Sequence, residues 1–343
     1  MLILGIETSC DETAAAVVEV SHEHGIKIKS NIIASQHEIH NKYGGVVPEL
    51  ACRRHIENIS PVITEALNKA GVKINDIGLF AVTKCPGLVV ALLVGLSTAK
   101  AIAYALKKPL IGVNHLEGHI LSIFLEKPDI SFPFVSLLVS GGHTELYLIE
   151  GFGKYKALGR SRDDAAGEAF DKASKMLKLG YPGGPAIEKT ASSGNPLSIN
   201  FPRAYIDKDS LDFSFSGVKT ALKNYLDGFI PPYSTSSIFL PDVAASFQQA
   251  IVDVLINKAF LAAKMYNVKT IVIAGGVASN KLLREEMKKR GAAEGVSVYH
   301  PSPILCTDNA AMIACAGYYG FVAQDFNPDI DFYDMDADAE MKL

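Results

Sequence analysis

The chain has 343 residues, enough for two domains with cores of their own. Its 48% apolar and 20% charged residues are ordinary for a globular protein and exclude a disordered or low-complexity chain. The net charge of −4 is unevenly distributed, because residues 323–343 carry six Asp and one Glu against one Lys, which leaves +2 for residues 1–322. We expect residues 323–343 to form a flexible, solvated tail outside the fold and outside catalysis.

The first third of the chain alternates strands with helices, which predicts an α/β fold. Polar residues 7–13 form a predicted turn whose hydroxyls and backbone amides could hold phosphate. The predicted helix 88–106 is strongly apolar. It contains Gly95 and Lys100, and we interpret it as a buried helix rather than a membrane span. In chain order, the predicted elements are strands 2–6, 14–20 and 26–34, helix 48–70, strand 77–82, helix 88–106 and strand 109–113.

Two histidines open the next predicted helix, which runs from residue 114 to about 126. His115 and His119 are four residues apart, so their imidazoles share one helix face and supply half of a divalent-metal site. The alternative is that the two histidines belong to a polar surface and bind no metal. Glu117 lies about 200° round the helix from His115, which is the wrong position for the general base of a metalloprotease. We expect the pair at the mouth of a cleft between two similar halves.

The second half of the chain repeats the pattern of the first and predicts a duplicated fold. Glycine-rich turns at 138–144 and 274–280 follow strands, as the turn at 5–13 does, and together the three turns predict a nucleotide site. Asn280 is expected to cap the helix that follows it. In order, the predicted elements are strands 134–139, 145–149 and 154–158, inserted helical segments at about 160–240, helix 242–266, strand 270–274, helix 280–290, strand 296–299 and helix 306–319.

A carboxylate is needed to complete the metal site. Asp308 begins the last predicted core helix and could be a ligand, although a helix cap is its alternative role. Spacing alone does not choose between it and other acidic residues. Those other candidates are Asp11, Glu12, Asp163, Asp164, Glu168 and Asp171.

Five cysteines occur without a CxxC pair or a regular framework, which indicates reduced thiols in a cytoplasm. The sequence also lacks a clear Ser-His-Asp or Cys-His signature for a covalent nucleophile.

Six segments in this order resemble the TsaD family, which makes threonylcarbamoyladenosine in tRNA and was formerly described as O-sialoglycoprotein endopeptidases. The resemblance spans residues 1–322 and leaves out the acidic tail. The segments are GIETSCDET (5–13), NHLEGH (114–119), LVSGGHT (138–144), DDAAGEAFDK (163–172), GGVASN (275–280) and CTDNAAMIA (306–314).

The resemblance implies the duplicated actin-like ATPase fold of sugar kinases and heat-shock ATPases. We expect lobes at 1–115 and 116–322, the second with the inserted helical segments. The resemblance also implies that His115, His119 and Asp308 bind one divalent metal, iron first and zinc second. It places the following residues around threonylcarbamoyl-adenylate: Leu138, Val139, Ser140, Gly141, Gly142, Asp171, Gly184, Glu188 and Asn280.

The implied reaction transfers the threonylcarbamoyl group to N6 of the adenosine next to the anticodon, on its 3′ side, in tRNAs that read ANN codons. The implied partners are tRNA, an inactive TsaB-like paralogue and a small TsaE-like ATPase, with no membrane. Helix 48–70 is the expected partner face, and the charge of +2 on residues 1–322 predicts modest intrinsic tRNA affinity.

Three other functions remain open at this point. They are a metal-dependent endopeptidase, a non-catalytic nucleotide-binding subunit and a small-molecule kinase. Kinases of the implied fold usually carry Asp in the first turn, where this chain has Glu7, and this difference weighs against the kinase.

Overall fold

A computed structural model describes residues 1–21, 25–204, 209–228, 239–323 and 334–343. The chain divides into two compact units. The first unit contains Met1–Ser131, Gly151–Tyr155 and Pro301–Leu343, and the second contains Phe132–Glu150 and Lys156–His300.

The predicted strands and helices follow one another in the predicted order, with ends shifted by a few residues, and the short helix His37–Asn41 is an addition that was not predicted. The strands of the described residues are β1 (Leu2–Glu7), β2 (Glu12–Ser21), β3 (Gly25–Ser35), β4 (Leu79–Cys85), β5 (Leu110–Asn114), β6 (Phe134–Val139), β7 (Thr144–Gly151), β8 (Lys154–Arg160), β9 (Thr270–Ala274) and β10 (Ser297–Tyr299). The α-helices are α1 (His37–Asn41), α2 (Pro48–Ala70), α3 (Val89–Leu106), α4 (His115–Leu121), α5 (Ala166–Met176), α6 (Gly183–Ala191), α7 (Ser216–Asp227), α8 (Leu240–Met265), α9 (Lys281–Glu294), α10 (Pro303–Cys306) and α11 (Ala310–Ala323). Residues 205–208 and 229–238 of the predicted inserted segments lie outside the described residues.

The predicted duplication is confirmed by the sheet of each unit. Within the described residues, the first sheet has the order β3-β2-β1-β4-β5, and the second has the equivalent order β8-β7-β6-β9-β10. β1 pairs antiparallel with β2 and parallel with β4, and β6 pairs in the same way with β7 and β9. In each unit a hairpin is therefore extended by parallel strands that helical crossovers connect, which is the arrangement of an α/β protein.

Helix α2 follows directly from the sequence pattern. Buried residues recur every three or four positions from Ala51 to Ala70 and form one apolar stripe, which packs on the core of the first unit. Pro48 opens the helix at a position that needs no backbone N–H donor. Gly71 ends it with φ 70, a left-handed conformation that glycine adopts without strain.

Helix α11 packs on the first sheet, which changes the predicted domain boundary. A Cβ atom at Gly5 would lie 2.1 Å from the Ala310 carbonyl oxygen, and one at Gly317 would lie 2.5 Å from the Ala81 Cβ. These glycines allow α11 to lie directly against β1 and β4. The expected boundary at 115/116 falls inside the first unit, which extends to Ser131 and regains residues from Pro301 onward.

Helix α3 is long and apolar enough to cross a membrane by length and composition alone, and it is the one such helix among the described residues. Its small and apolar residues Ala91, Leu92, Gly95, Leu96, Ala99 and Ala103 are buried in the first unit. A core helix of an α/β protein has this same composition, so the helix is weak grounds for a membrane span.

The expectation of a solvated tail is wrong for residues 334–343. Met335 and Ala337 pack against the core cluster of the first unit, and the Met335 carbonyl oxygen accepts a hydrogen bond from Lys100 Nζ. Asp338 N donates to the Lys84 carbonyl oxygen at 2.9 Å. The apolar residues alternate with acidic ones from Asp334 to Met341, which is the period of an extended segment, and of these apolar residues Met335 and Ala337 are partly buried. Residues 324–333 of the predicted tail lie outside the described residues.

Removal of residues 334–343 is predicted to destabilise the first unit by about 2 kcal/mol, because partly buried Met335 and Ala337 would lose their core contacts. Chemical denaturation of the full chain and of a chain ending at residue 333 measures the difference. Glu340→Gln is the matched control, since this exposed side chain leaves the packing intact. Equal unfolding midpoints for the truncated and full chains would contradict the packing role.

Candidate functional site

The ends of α4 and α11 place three potential metal ligands in the first unit. Asn114 caps α4 by accepting a hydrogen bond from Leu116 N at 2.9 Å, so that His115 is the first helical residue. Asn309 caps α11 by accepting from Met312 N at 3.0 Å. The cap of α11 is therefore Asn309, and the alternative role of Asp308 as a helix cap is wrong.

His115, His119 and Asp308 form a compact cluster. Asp308 Oδ1 lies 3.1 Å from His119 Nε2 and 3.5 Å from His115 Nε2. The two imidazoles meet edge to face, with centroids 4.6 Å apart. Ligand bonds of about 2.0–2.2 Å place neighbouring ligand atoms about 3–3.5 Å apart, so the three atoms fit around one divalent cation. The geometry thus brings together the three residues that the sequence singled out.

Glu7 contacts this cluster, and sequence reasoning missed it as a member of this site. It ends β1 fully buried, and its Oε2 lies 3.1 Å from His115 Nδ1. Thr83 Oγ1 donates to the same carboxylate at 2.5 Å, and Ser9 N donates to Oε1 at 2.5 Å. A metal-binding histidine commonly gives its second ring nitrogen to a carboxylate, which fixes the ring. Glu7 therefore directs His115 Nε2 toward Asp308.

The charges of the cluster are mutually dependent. Burial disfavours a charged imidazole at His115, but the carboxylates of Asp308 and Glu7 outweigh it and raise the pKa of His115 to about 9. Burial alone would raise the pKa of Glu7, yet the charge of His115 lowers it. Burial lowers the pKa of His119, which favours its neutral form. A cation bound here would replace the proton of His115.

Glu117 takes no part in the cluster. Its Oε1 accepts a hydrogen bond from Tyr155 Oη at 2.5 Å, and burial raises the pKa of its carboxyl group. The carboxylate is thus engaged with Tyr155 and does not join the group of ligand atoms formed by His115, His119 and Asp308. This agrees with the helical phase expected from the sequence.

The other acidic candidates lie elsewhere. Asp163 accepts hydrogen bonds from Ser214 and Ser216 at the start of α7, and Asp164 pairs with Lys172 and Lys219. Glu168 also pairs with Lys172, at 2.8 Å. These three carboxylates are thus engaged with partners inside the second unit. Asp11 and Glu12 lie beside His37 in the first unit.

Glycine-rich turns meet in the second unit. A Cβ atom at Gly167 would lie 2.4 Å from the Ser140 carbonyl oxygen, and one at Gly275 would lie 2.5 Å from the Val139 carbonyl oxygen. These two glycines fix the turn after β6 between α5 and the end of β9. By contrast, a Cβ atom at Gly141, Gly142, Gly184 or Gly276 would meet nothing within 4 Å. Their backbone is therefore accessible to a ligand such as a nucleotide phosphate.

Three further predicted substrate residues in this unit, Asp171, Glu188 and Asn280, each accept a hydrogen bond from a backbone N–H group. Asp171 Oδ1 accepts from Gly183 N at 2.6 Å, one residue before Gly184. Glu188 Oε1 accepts from Lys281 N at 2.9 Å, and Asn280 Oδ1 caps α9 by accepting from Leu283 N. The predicted cap at Asn280 is confirmed. The structure thus brings the turns at 138–144 and 274–280 together in the second unit, whereas the turn at 5–13 belongs to the first.

Comparison with known proteins identifies the family. Residues 27–315 match the family described as TsaD, tRNA N6-adenosine threonylcarbamoyltransferase. A protein of that name from Clostridioides difficile (strain 630) is 53% identical over 322 residues, which cover 94% of each chain. A relative of the same name from Clostridium perfringens (strain SM101 / Type A) is 55% identical over 318 residues, covering 93% of this chain and 92% of its own.

Solved structures identify the fold. Full-length HypF in its phosphate- and nucleotide-bound form is 13% identical, with a TM-score of 0.61, and the match covers 95% of this chain and 47% of HypF. Component A of the (R)-2-hydroxyglutaryl-CoA dehydratase of Acidaminococcus fermentans is 15% identical, with a TM-score of 0.55, covering 94% of this chain and 100% of its own. These neighbours confirm the actin-like ATPase fold. More than half of the residues are identical to those of the named relatives over almost the whole length, and this identity shows the family. The chain belongs to the family of tRNA N6-adenosine threonylcarbamoyltransferases.

Proposed function

We propose that this chain transfers the threonylcarbamoyl group of threonylcarbamoyl-adenylate to N6 of the adenosine on the 3′ side of the anticodon, in tRNAs that read ANN codons. The observation that carries the proposal is the 53–55% identity to named transferases over 92–95% of this chain. The compact His115–His119–Asp308 cluster and the accessible glycine turns supply two kinds of group that such a reaction needs.

His115, His119 and Asp308 would hold one divalent metal, Fe²⁺ in preference to Zn²⁺. When bound, the ion would act as a Lewis acid on substrate oxygens and offset developing negative charge. Glu7 holds the His115 ring in place, so that the ligand set is organised before the ion arrives. Burial of His119 keeps its imidazole neutral, as a ligand must be.

The second unit would bind the adenylate. Leu138 and Val139 end β6, and Ser140, Gly141 and Gly142 follow it, so this backbone lies at the carboxyl end of a strand, where ligands bind in open α/β sheets. Asp171, Gly184, Glu188 and Asn280 would complete this site from α5, α6 and the start of α9. The lack of a side chain at Gly141 and Gly142 leaves room for backbone N–H groups to face phosphate oxygens.

The transfer itself needs positioning more than covalent catalysis. The N6 nitrogen would form a bond to the carbamoyl carbon, the bond from that carbon to the phosphate oxygen would break, and AMP would leave with that electron pair. The proton lost from N6 would pass to solvent. This step requires no protein nucleophile, and the rate gain would come from orientation and electrostatic stabilisation.

tRNA, an inactive TsaB-like paralogue and a small TsaE-like ATPase are the proposed partners, in the cytoplasm and away from membranes. Two arginines pair with acidic side chains of the same chain, Arg162 with Asp212 and Arg290 with Glu294, so part of the positive charge is already neutralised. This supports modest intrinsic tRNA affinity.

The face of α2 supports a protein partner. Ile56 on this helix is 62% exposed, and Val89 and Val90 on neighbouring α3 are 43% and 44% exposed. Cys52 Sγ lies 3.6 Å from the Val90 carbonyl oxygen, so these residues belong to one surface. An apolar surface across two helices is typical of a helical docking interface, which is where we place the paralogue.

His115→Ala is predicted to abolish formation of threonylcarbamoyladenosine, because a cluster reduced to two ligands cannot hold the ion in place. The assay digests an unmodified ANN-decoding tRNA after incubation with the chain, the two partners and threonylcarbamoyl-adenylate, and then measures the modified nucleoside. Glu117→Gln is the matched control and should retain product. Full product formation by His115→Ala would contradict the role of His115 as a metal ligand that the transfer needs.

Glu7→Gln is predicted to weaken divalent-metal affinity by about 10- to 100-fold, because it removes the charge that orients His115. Competition with a chromogenic chelator measures the affinity for Zn²⁺, and a thermal unfolding scan confirms that the variant is folded. Glu117→Gln changes a partly buried carboxylate that is engaged with Tyr155 instead, and it should leave the affinity unchanged. Unchanged affinity in Glu7→Gln would remove Glu7 from the metal site.

Gly141→Ala is predicted to impair nucleotide binding, and Gly167→Ala is predicted to impair folding stability. A Cβ atom at Gly141 meets open space, so the variant should fold normally and bind AMP at least ten-fold more weakly, a loss of about 1.4 kcal/mol. A Cβ atom at Gly167 overlaps the Ser140 carbonyl oxygen, so that variant should lose about 1–3 kcal/mol of stability. Calorimetry and thermal unfolding separate the two. Normal AMP affinity in a folded Gly141→Ala variant would place the nucleotide elsewhere.

A further inference from the structure

A second group of potential ligands lies in the first unit, close enough to Asp308 to be affected by its charge but with ligand atoms that form a separate set from those of His115, His119 and Asp308. Asp11 precedes β2 and Glu12 begins it, whereas His37 follows β3 and begins α1. The open end of the β2–β3 hairpin brings them together, since Glu12 pairs with Ser35 and Gln36 N donates to the Asp11 carbonyl oxygen at 3.1 Å. Their proximity is therefore fixed by sheet register rather than by flexible surface side chains.

The atoms of this group have the spacing of metal ligands. His37 Nε2 lies 3.1 Å from Glu12 Oε1 and 3.7 Å from Asp11 Oδ2, and the three ligand atoms all lie within 4.8 Å of one another. Ligand atoms around a tetrahedral ion are about 3.4 Å apart when each bond is about 2.1 Å. The two measured distances lie on either side of that value.

One buried atom in the group lacks a hydrogen bond. Asp11 is 6% exposed, and its Oδ2 has no hydrogen-bond partner within the parts of the chain that the structure describes. This is also the oxygen that faces His37. A buried acceptor left without a partner typically costs about 1–3 kcal/mol, so native structures normally satisfy it with a protein group, water or an ion.

We propose that Asp11, Glu12 and His37 form a second divalent-cation site, for a first-row transition ion such as Zn²⁺ or Mn²⁺. One imidazole and two carboxylates suit these ions, whereas Mg²⁺ favours oxygen ligands alone. His37 has a side chain that is 46% exposed, which gives an entry path and leaves coordination positions open to water. The cation would place its charge between two largely buried carboxylates and would satisfy Asp11 Oδ2.

The electrostatics of the group agree with this site. Burial is the main effect that raises the pKa of Glu12, to about 8, and the nearby carboxylates of Asp308 and Asp11 raise it further. Hydrogen bonding to Glu12 raises the pKa of His37. Protons on Glu12 and His37 thus offset the negative charge of the group. A bound dication would offset the same charge and would also hold the three side chains in a fixed geometry. A simple ion pair between His37 and Glu12 is the competing explanation.

The test counts metal ions bound by the full chain. Protein freed of metal with a chelator is titrated with Zn²⁺ in competition with a chromogenic chelator, and bound zinc is then measured by mass spectrometry. We expect two equivalents in the unchanged chain, one in His37→Gln and one in His119→Ala. The double variant should bind none, and His143→Gln, in the second unit, should keep both.

Two outcomes would overturn the proposal. One is a single equivalent in the unchanged chain that His119→Ala removes, which would leave the ion pair as the explanation. The other is two equivalents retained in His37→Gln and also in Asp11→Asn, with thermal unfolding confirming that both variants fold. Because the readout is stoichiometry, failure of the transferase reaction would not affect it.

Discussion

The buried carboxylate of Glu7 is the constraint on which the first unit's site depends. It ends β1, accepts a hydrogen bond from Thr83 on β4, and contacts His115, which follows β5. Three adjacent elements of the sheet are thereby tied at one point. A lone buried carboxylate would be costly, but here each oxygen is satisfied and the imidazolium supplies the opposite charge. The chemistry of the site and the alignment of its strands thus rest on the same group.

The two units use one topology for different chemistry. Where β1 ends, the first unit places a charged side chain, Glu7, and assembles imidazoles around it. Where β6 ends, the second unit has Ser140 followed by two glycines with no side chain. Under the proposed function, the duplicated frame would support a site built from side chains in one copy and a site built from backbone in the other. Conserving strand order while changing the residues after a strand is sufficient to produce this difference.

Much of the fold could be predicted from sequence, because strand and helix periods are local. The duplicated element order, helix α2 and the Asn280 cap all follow from such patterns, and the His115–His119 pairing follows from helical geometry. The placement of α11 could not be predicted, since an apolar helix of small residues does not indicate which sheet it covers. The packing of Met335 was missed because its acidic neighbours dominated the charge count. The role of Glu7 depends on parallel strand register, which is not local.

The position of α11 also determines the order in which the protein can be completed during synthesis. The second unit is nearly continuous in sequence and ends at His300, so its sheet can form as soon as that stretch leaves the ribosome. The first sheet emerges earlier but lacks the helix that covers β1 until residues 310–323 have been made. The face of the first sheet that α11 covers therefore stays open for most of translation. This is the period in which chaperones protect nascent chains. The amino-terminal unit is begun first and finished last.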